Sequence, residues 1–228
     1  MKEQGQKNRF DVYKLVNYME KVNYIWWCLL ATICFWLVNL PLALCLLLLP
    51  LTSVNLPFLL LALLPVGPAF LALLKVLKQV ESEGSILRPF FGYLCRETKS
   101  FLRIWLPVWG ILSLAGTNLM LGQLLHFSET IQLLNLFILV VTITFFLNYC
   151  LLRVFYPQAA TVDGLLTTLK LSILKSGRYA MSFMLLLGTF ILLSNVSIYL
   201  FFFGIGLVAL LLILNYRPIA EYIREKTA

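Results

Sequence analysis

The sequence predicts an all-α polytopic membrane protein with six transmembrane helices and two cytoplasmic amphipathic helices. Three observations carry that prediction. Of 228 residues, 61% are hydrophobic and 12% are charged, about half the charged share of a soluble domain. Several apolar runs reach the roughly 20 residues that cross a bilayer. The charges also cluster, and all 18 Lys and Arg fall in four segments. Five lie in residues 1–23, six from Lys75 to Arg103, four from Arg153 to Arg178, and three from Arg217 onward. Six spans with both termini inside put every one of them on the cytoplasmic side, as the positive-inside bias requires.

Taken in order, residues 1–23 interleave Lys2, Lys7, Arg9, Lys14 and Lys21 with Phe10, Tyr13, Leu15 and Tyr18. This cytoplasmic segment reads as a short interfacial helix. No small-residue cleavage pattern of a secretory signal follows it. Tyr24, Trp26 and Trp27 form an aromatic belt at the start of span one, residues 24–49, which Pro41 is expected to kink. Span two covers residues 56–76 and contains Pro65, Gly67 and Pro68. Each proline removes an N–H, freeing carbonyls near residues 61 and 64, while Gly67 admits a close neighbour. Such a break marks a binding site in some transporters. More often it only bends a helix for packing.

Residues Ile86 to Lys99 carry helical periodicity. Ile86, Leu87, Phe90, Phe91, Tyr93 and Leu94 share one arc, and Arg88, Arg96 and Lys99 lie opposite. This reads as a helix lying on the membrane surface or against another subunit, with Glu97 as the misfit on the apolar side. Phe90, Phe91 and Leu94 are its candidate partner contacts, and Arg88, Arg96 and Lys99 its candidate headgroup contacts. Span three follows at 101–121, then a loop whose His126 has no companion ligand, then span four at 131–152. A second, less regular amphipathic piece runs from Asp163 to Arg178, faintly echoing the first.

The apolar run Met181–Leu214 is 34 residues long. One helix of that length would measure about 51 Å against a hydrocarbon core of about 30 Å. Two spans, 180–195 and 197–215, meeting near Asn195 to Ser197, fit better. A cytoplasmic tail, 217–228, ends the chain, so residues 24–216 form a single six-helix domain.

Composition and motifs also narrow the function. The formal charge of +8 sits beside apolar spans, which points to anionic lipid and away from nucleic acid. Five cysteines without a C-x-x-C pair read as packing residues. No metal or phosphate motif is present, no cofactor is expected, and no ionisable residue is expected at hydrocarbon depth. The chain therefore reads as non-enzymatic. Asn39, Asn118, Asn135 and Asn148 read as helix-to-helix hydrogen-bonding groups. The sharper alternative is a channel for a neutral solute lined by Asn118, Asn135 and Asn148, and a third reading is a lipid-binding scaffold.

At Pro65-Val66-Gly67-Pro68-Ala69, Leu74-Lys75, Glu83-Gly84, Phe90-Phe91 and Lys99, the chain resembles the YesL family of bacterial integral membrane proteins. That resemblance implies a multi-pass protein of the bacterial plasma membrane without established enzymatic activity. The family's genes sit beside those of sugar ABC importers. The resemblance thus implies an accessory role in carbohydrate import, with sugar ABC transporter subunits as partners.

Overall fold

The structure is a computed structural model that describes residues 23–50, 52, 54–83, 85–157, 162–196 and 198–227. Within its helices, the side chains at 80–83, 123–124, 162–163, 189–190, 192–196, 198–203 and 226–227 are left undescribed. The interfacial helix expected over residues 1–23 lies outside the described residues but for Asn23, and so does Gly84.

Among the described residues the chain is helical throughout, without a strand. The helices are α1 (Asn23–Val38), α2 (Leu40–Leu48), α3 (Leu56–Ala62) and α4 (Val66–Glu83). They continue as α5 (Leu87–Leu124), α6 (Glu129–Phe155), α7 (Val162–Leu174), α8 (Ser176–Val196) and α9 (Ile198–Thr227). Four stretches are long and apolar enough to cross a membrane: Leu56–Gln79, Leu87–Gly122, Glu129–Phe155 and Gly204–Glu225. The pair α1 and α2 makes a fifth if counted as one span. The span expected over 180–195 falls in α8, several of whose side chains are undescribed.

Span one breaks where a kink was expected. α1 and α2 meet at an angle of 79°, because Pro41 sits in the first turn of a new helix rather than inside a continuous one. Asn39 fills the break, fully buried, its Nδ2 donating to Phe35 O at 2.9 Å. The turn from α2 to α3 closes through Asn55 Nδ2 on Pro50 O at 3.0 Å, and α2 packs back on α3.

The middle of the protein is a pair of antiparallel hairpins sharing α5. Against α4 residue 97 meets 75, and against the α3–α4 turn and α3 residue 105 meets 64 and 109 meets 60. Against α6, residue 100 meets 153 and 118 meets 135. The core lies where α4 and α6 pack against each other and against α5 and α9. Residues 69–77 of α4 and 146–154 of α6 are buried at every position, the signature of a helix covered all round. The aromatic seam between α5 and α6 joins Phe101 to Tyr149, and Trp105 to Phe146 with ring centroids 4.7 Å apart.

Three further expectations change. The segment Ile86–Lys99 is not a separate surface helix. It is the first part of α5, which runs on through Pro107 for 38 residues. Ile86 and Phe90 of its apolar arc are buried in the core, while Leu87 and Phe91 stay exposed. The piece Asp163–Arg178 splits at Lys175 into α7 and the first turn of α8, and Asp163 is among the undescribed side chains. The tail is not separate either, because α9 continues through Pro218 to Thr227. The long apolar run does divide, with α8 ending at Val196 and α9 starting at Ile198. Those two helices form an antiparallel hairpin in which Asn215 Nδ2 donates to Arg178 O at 3.1 Å.

His126 closes the α5–α6 turn in the left-handed conformation, with φ 51°. Phe127 N reaches back five residues to Gly122 O at 3.0 Å, the bond that terminates a helix in a Schellman turn. Histidine tolerates this conformation better than branched residues do.

Candidate functional site

The helix break and the charges beside it form one unit. Pro68 cannot donate to Leu64 O, and the indole Nε1 of Trp105 donates there instead, at 2.6 Å. One turn earlier, Leu64 N bonds Leu61 O rather than Leu60 O, and Trp109 Nε1 takes Leu60 O at 2.9 Å. Two indoles one turn apart on α5 thus satisfy two carbonyls one turn apart at the break. Gly67 makes the approach possible, since a Cβ there would lie 2.3 Å from Trp105 Cδ2. Pro65, Gly67 and Pro68 act together as a socket for Trp105. The sequence placed the break, but nothing in it paired the break with two tryptophans some forty residues on.

Two to three turns along α4 from this socket lies a buried ion cluster. Lys75 Nζ pairs with Glu97 Oε1, and Arg153 Nε lies 3.3 Å from Glu97 Oε2. Arg153 Nη2 also donates to Ser100 Oγ at 2.6 Å, and its guanidinium sits 5.4 Å from the Phe101 ring centroid. The side chain of Lys75 is 8% exposed and that of Arg153 is 3% exposed. All three residues belong to helices that contain candidate spans, Lys75 near the end of the expected span 56–76 and Glu97 and Arg153 just outside the expected spans 101–121 and 131–152. Glu97, the misfit on the apolar arc, is the centre of the cluster. A carboxylate between two cations offsets their desolvation only while all three are present.

The residues expected to meet partners divide. Phe90 is 0% exposed and lies in the protein's own core, meeting Phe91 edge to face at 5.4 Å. It is not available as an outward anchor, because its ring is fully enclosed. Phe91 is 40% exposed and Leu94 half-buried. Arg88, Arg96 and Lys99 are all exposed.

The asparagines are engaged between helices. Asn118 Nδ2 lies 3.4 Å from Asn135 Oδ1, linking α5 to α6. Asn148 accepts from Ser182 Oγ at 3.3 Å and Asn215 Nδ2 donates to the same hydroxyl at 3.0 Å, linking α6, α8 and α9. Bonds of this kind hold helices together. Cys28, Cys34 and Cys150 are buried, and Cys95 on α5 is exposed. No group of three His, Cys, Asp or Glu that could hold a metal ion occurs among the described residues.

The fold and these sites define a class: an all-helical protein with four or five stretches able to cross a membrane, knitted by interhelical polar contacts. No protein-family model, no curated protein and no solved structure matches the chain.

Proposed function

We propose that the protein crosses the bacterial plasma membrane six times with both termini in the cytoplasm. On this reading it acts without catalysis, as an accessory component of a sugar ABC importer. Length supports the threading. α5, with its 38 residues, measures about 57 Å, nearly twice the hydrocarbon thickness of about 30 Å. With the α5–α6 turn on the outer side, the excess projects into the cytoplasm, together with Arg88, Arg96 and Lys99. The hairpin of α8 and α9 supplies the fifth and sixth spans.

One observation supports docking above the others. The projecting part of α5 carries Leu87, 57% exposed, and Phe91, 40% exposed, beside the exposed Arg88. Its inner face is held by Phe90 and the ion cluster, so the outward residues are presented on a rigid helix, the helix-in-groove mode of recognition. The sugar importer as the partner comes from the YesL resemblance of the central segment.

The test is copurification in mild detergent. Wild-type protein should retain importer subunits, and L87A/F91A should lose them while keeping its own melting temperature. Equal retention by both proteins would remove the docking role. The threading has a separate test in native Cys95: a membrane-impermeant maleimide should label it in inside-out vesicles and not in intact cells.

A further inference from the structure

The outward side of the projecting part of α5 carries a row of four cations, Arg88, Arg96, Lys99 and Arg103, all exposed. On a helical wheel they fall within an arc of about 80°. Glu97, the only acidic residue of α5, lies on the opposite side, inside the ion cluster. Among the described residues none of the four cations forms an ion pair. Leu87 and Phe91, both exposed, flank the row along one edge. We propose that this face docks an acidic amphipathic helix of a partner protein, with its carboxylates on the row and its apolar residues on Leu87 and Phe91. The proposal rests on the docking reading above and names the chemistry of that partner.

The row is unfavourable on its own. Arg96 and Lys99 are three residues apart and Lys99 and Arg103 four, so like charges repel across successive turns. An opposing row of carboxylates replaces that repulsion with attraction, and guanidinium forks take carboxylate oxygens in pairs. From Arg88 to Arg103 the row is about 22 Å long, roughly four turns of a facing helix. The face is also held still, because Phe90 and Glu97 fix the inner side of the same turns.

The length of the row favours a protein over the lipid surface. With the α5–α6 turn outside, about 20 residues of α5 cross the hydrocarbon, which ends near Trp105. The headgroup layer adds about 5–7 Å on each side. Arg103 therefore stands among headgroups and Lys99 at their edge, while Arg96 and Arg88 stand about 13 and 25 Å past the hydrocarbon. Leu87 and Phe91 share that outer height, beyond the reach of acyl chains.

The experiment uses the full chain in nanodiscs of neutral phosphatidylcholine. The probe is a fluorescent amphipathic helical peptide with glutamates beside a leucine edge, compared by anisotropy with the same peptide carrying glutamines. Wild type should bind the glutamate peptide about tenfold more tightly, and added salt should erase the difference. R88E/R96E should lose that preference and favour a lysine version of the peptide, a reversal that a misfolded variant does not produce. Equal binding of the glutamate and glutamine peptides by wild type, or no reversal by R88E/R96E, would overturn the proposal. Loss of nothing but retained phosphatidylglycerol by R88E/R96E, read by native mass spectrometry, would overturn it too and assign the row to lipid. The peptide assay needs no importer, so success there without copurified importer subunits removes the importer and leaves the acidic helix standing. Importer subunits lost by L87A/F91A but kept by R88E/R96E would uphold the docking role and overturn the acidic partner.

Discussion

The first part of α5 and the whole of α7 look alike as sequences, two amphipathic pieces each following an apolar span, but the fold uses them in opposite senses. In α5 the inner edge of the apolar arc is buried, with Ile86 and Phe90 in the core and Phe101 fully enclosed, while Leu87 and Phe91 at its outer edge stay exposed. In α7 the buried positions are Gly164, Thr168 and Leu171, with Thr168 Oγ1 turned back on Gly164 O. Most of its large apolar residues look outward, with Ile173 80% exposed and Leu166 and Leu169 about half exposed beside Lys170. Periodicity reports that a helix has an apolar stripe. It does not say whether the stripe meets protein or lipid. On the six-span reading, α5 is a strut tied into the core and α7 is a float whose apolar face meets acyl chains.

The largest expected effect lies in the strut. Glu97→Gln leaves Lys75 and Arg153 buried against each other, which should cost about 3–5 kcal/mol and lower the melting temperature in detergent steeply. Adding Lys75→Met should restore part of that loss. A double variant no better than the single would show that the cluster is not a coupled unit. Phe90→Ala should cost about 3 kcal/mol through the cavity it opens, and Phe91→Ala less than about 1 kcal/mol. If the two were equal by denaturation, the inward turn of this arc would be wrong.

Gly67→Ala comes next. The new methyl meets the Trp105 ring, and overpacking of this kind costs about 1–3 kcal/mol. The companion change Trp105→Phe should relieve the clash but leave Leu64 O without its donor, so stability should return only in part. In the float, Ile173→Ala should change stability in detergent by less than about 0.5 kcal/mol. An environment-sensitive fluorophore at Ile173→Cys should nonetheless report an apolar setting in vesicles, where the same probe at Phe91→Cys reports water. Matching signals would erase the contrast between the two helices. Smallest of all, His126→Gly should leave stability within about 1 kcal/mol of wild type, since glycine relieves the left-handed backbone and loses entropy on folding. That is readable as a small shift in melting temperature.

Much of the architecture was legible because bilayer-scale apolar runs and strongly biased prolines and glycines act locally. The helical class and the interruption of span two beside Pro65 needed only length and backbone chemistry. Pro41 marks the bend in span one, but whether it kinks one helix or opens a second reads alike until the helix ends are known. A lysine in an apolar run, such as Lys75, usually marks water. The same residue proves buried once Glu97 and Arg153 come to meet it.

The amino-acid order alone determined that this chain is helical, apolar enough for lipid, and interrupted where proline removes a backbone donor. Those properties depend on each residue and its near neighbours. Only the tertiary structure decided that Glu97 neutralises two cations, that two tryptophans cap the carbonyls at the break, and that one apolar stripe faces inward while another faces out. Each of those depends on residues brought together from distant parts of the chain, and burial and pairing exist only once they have met.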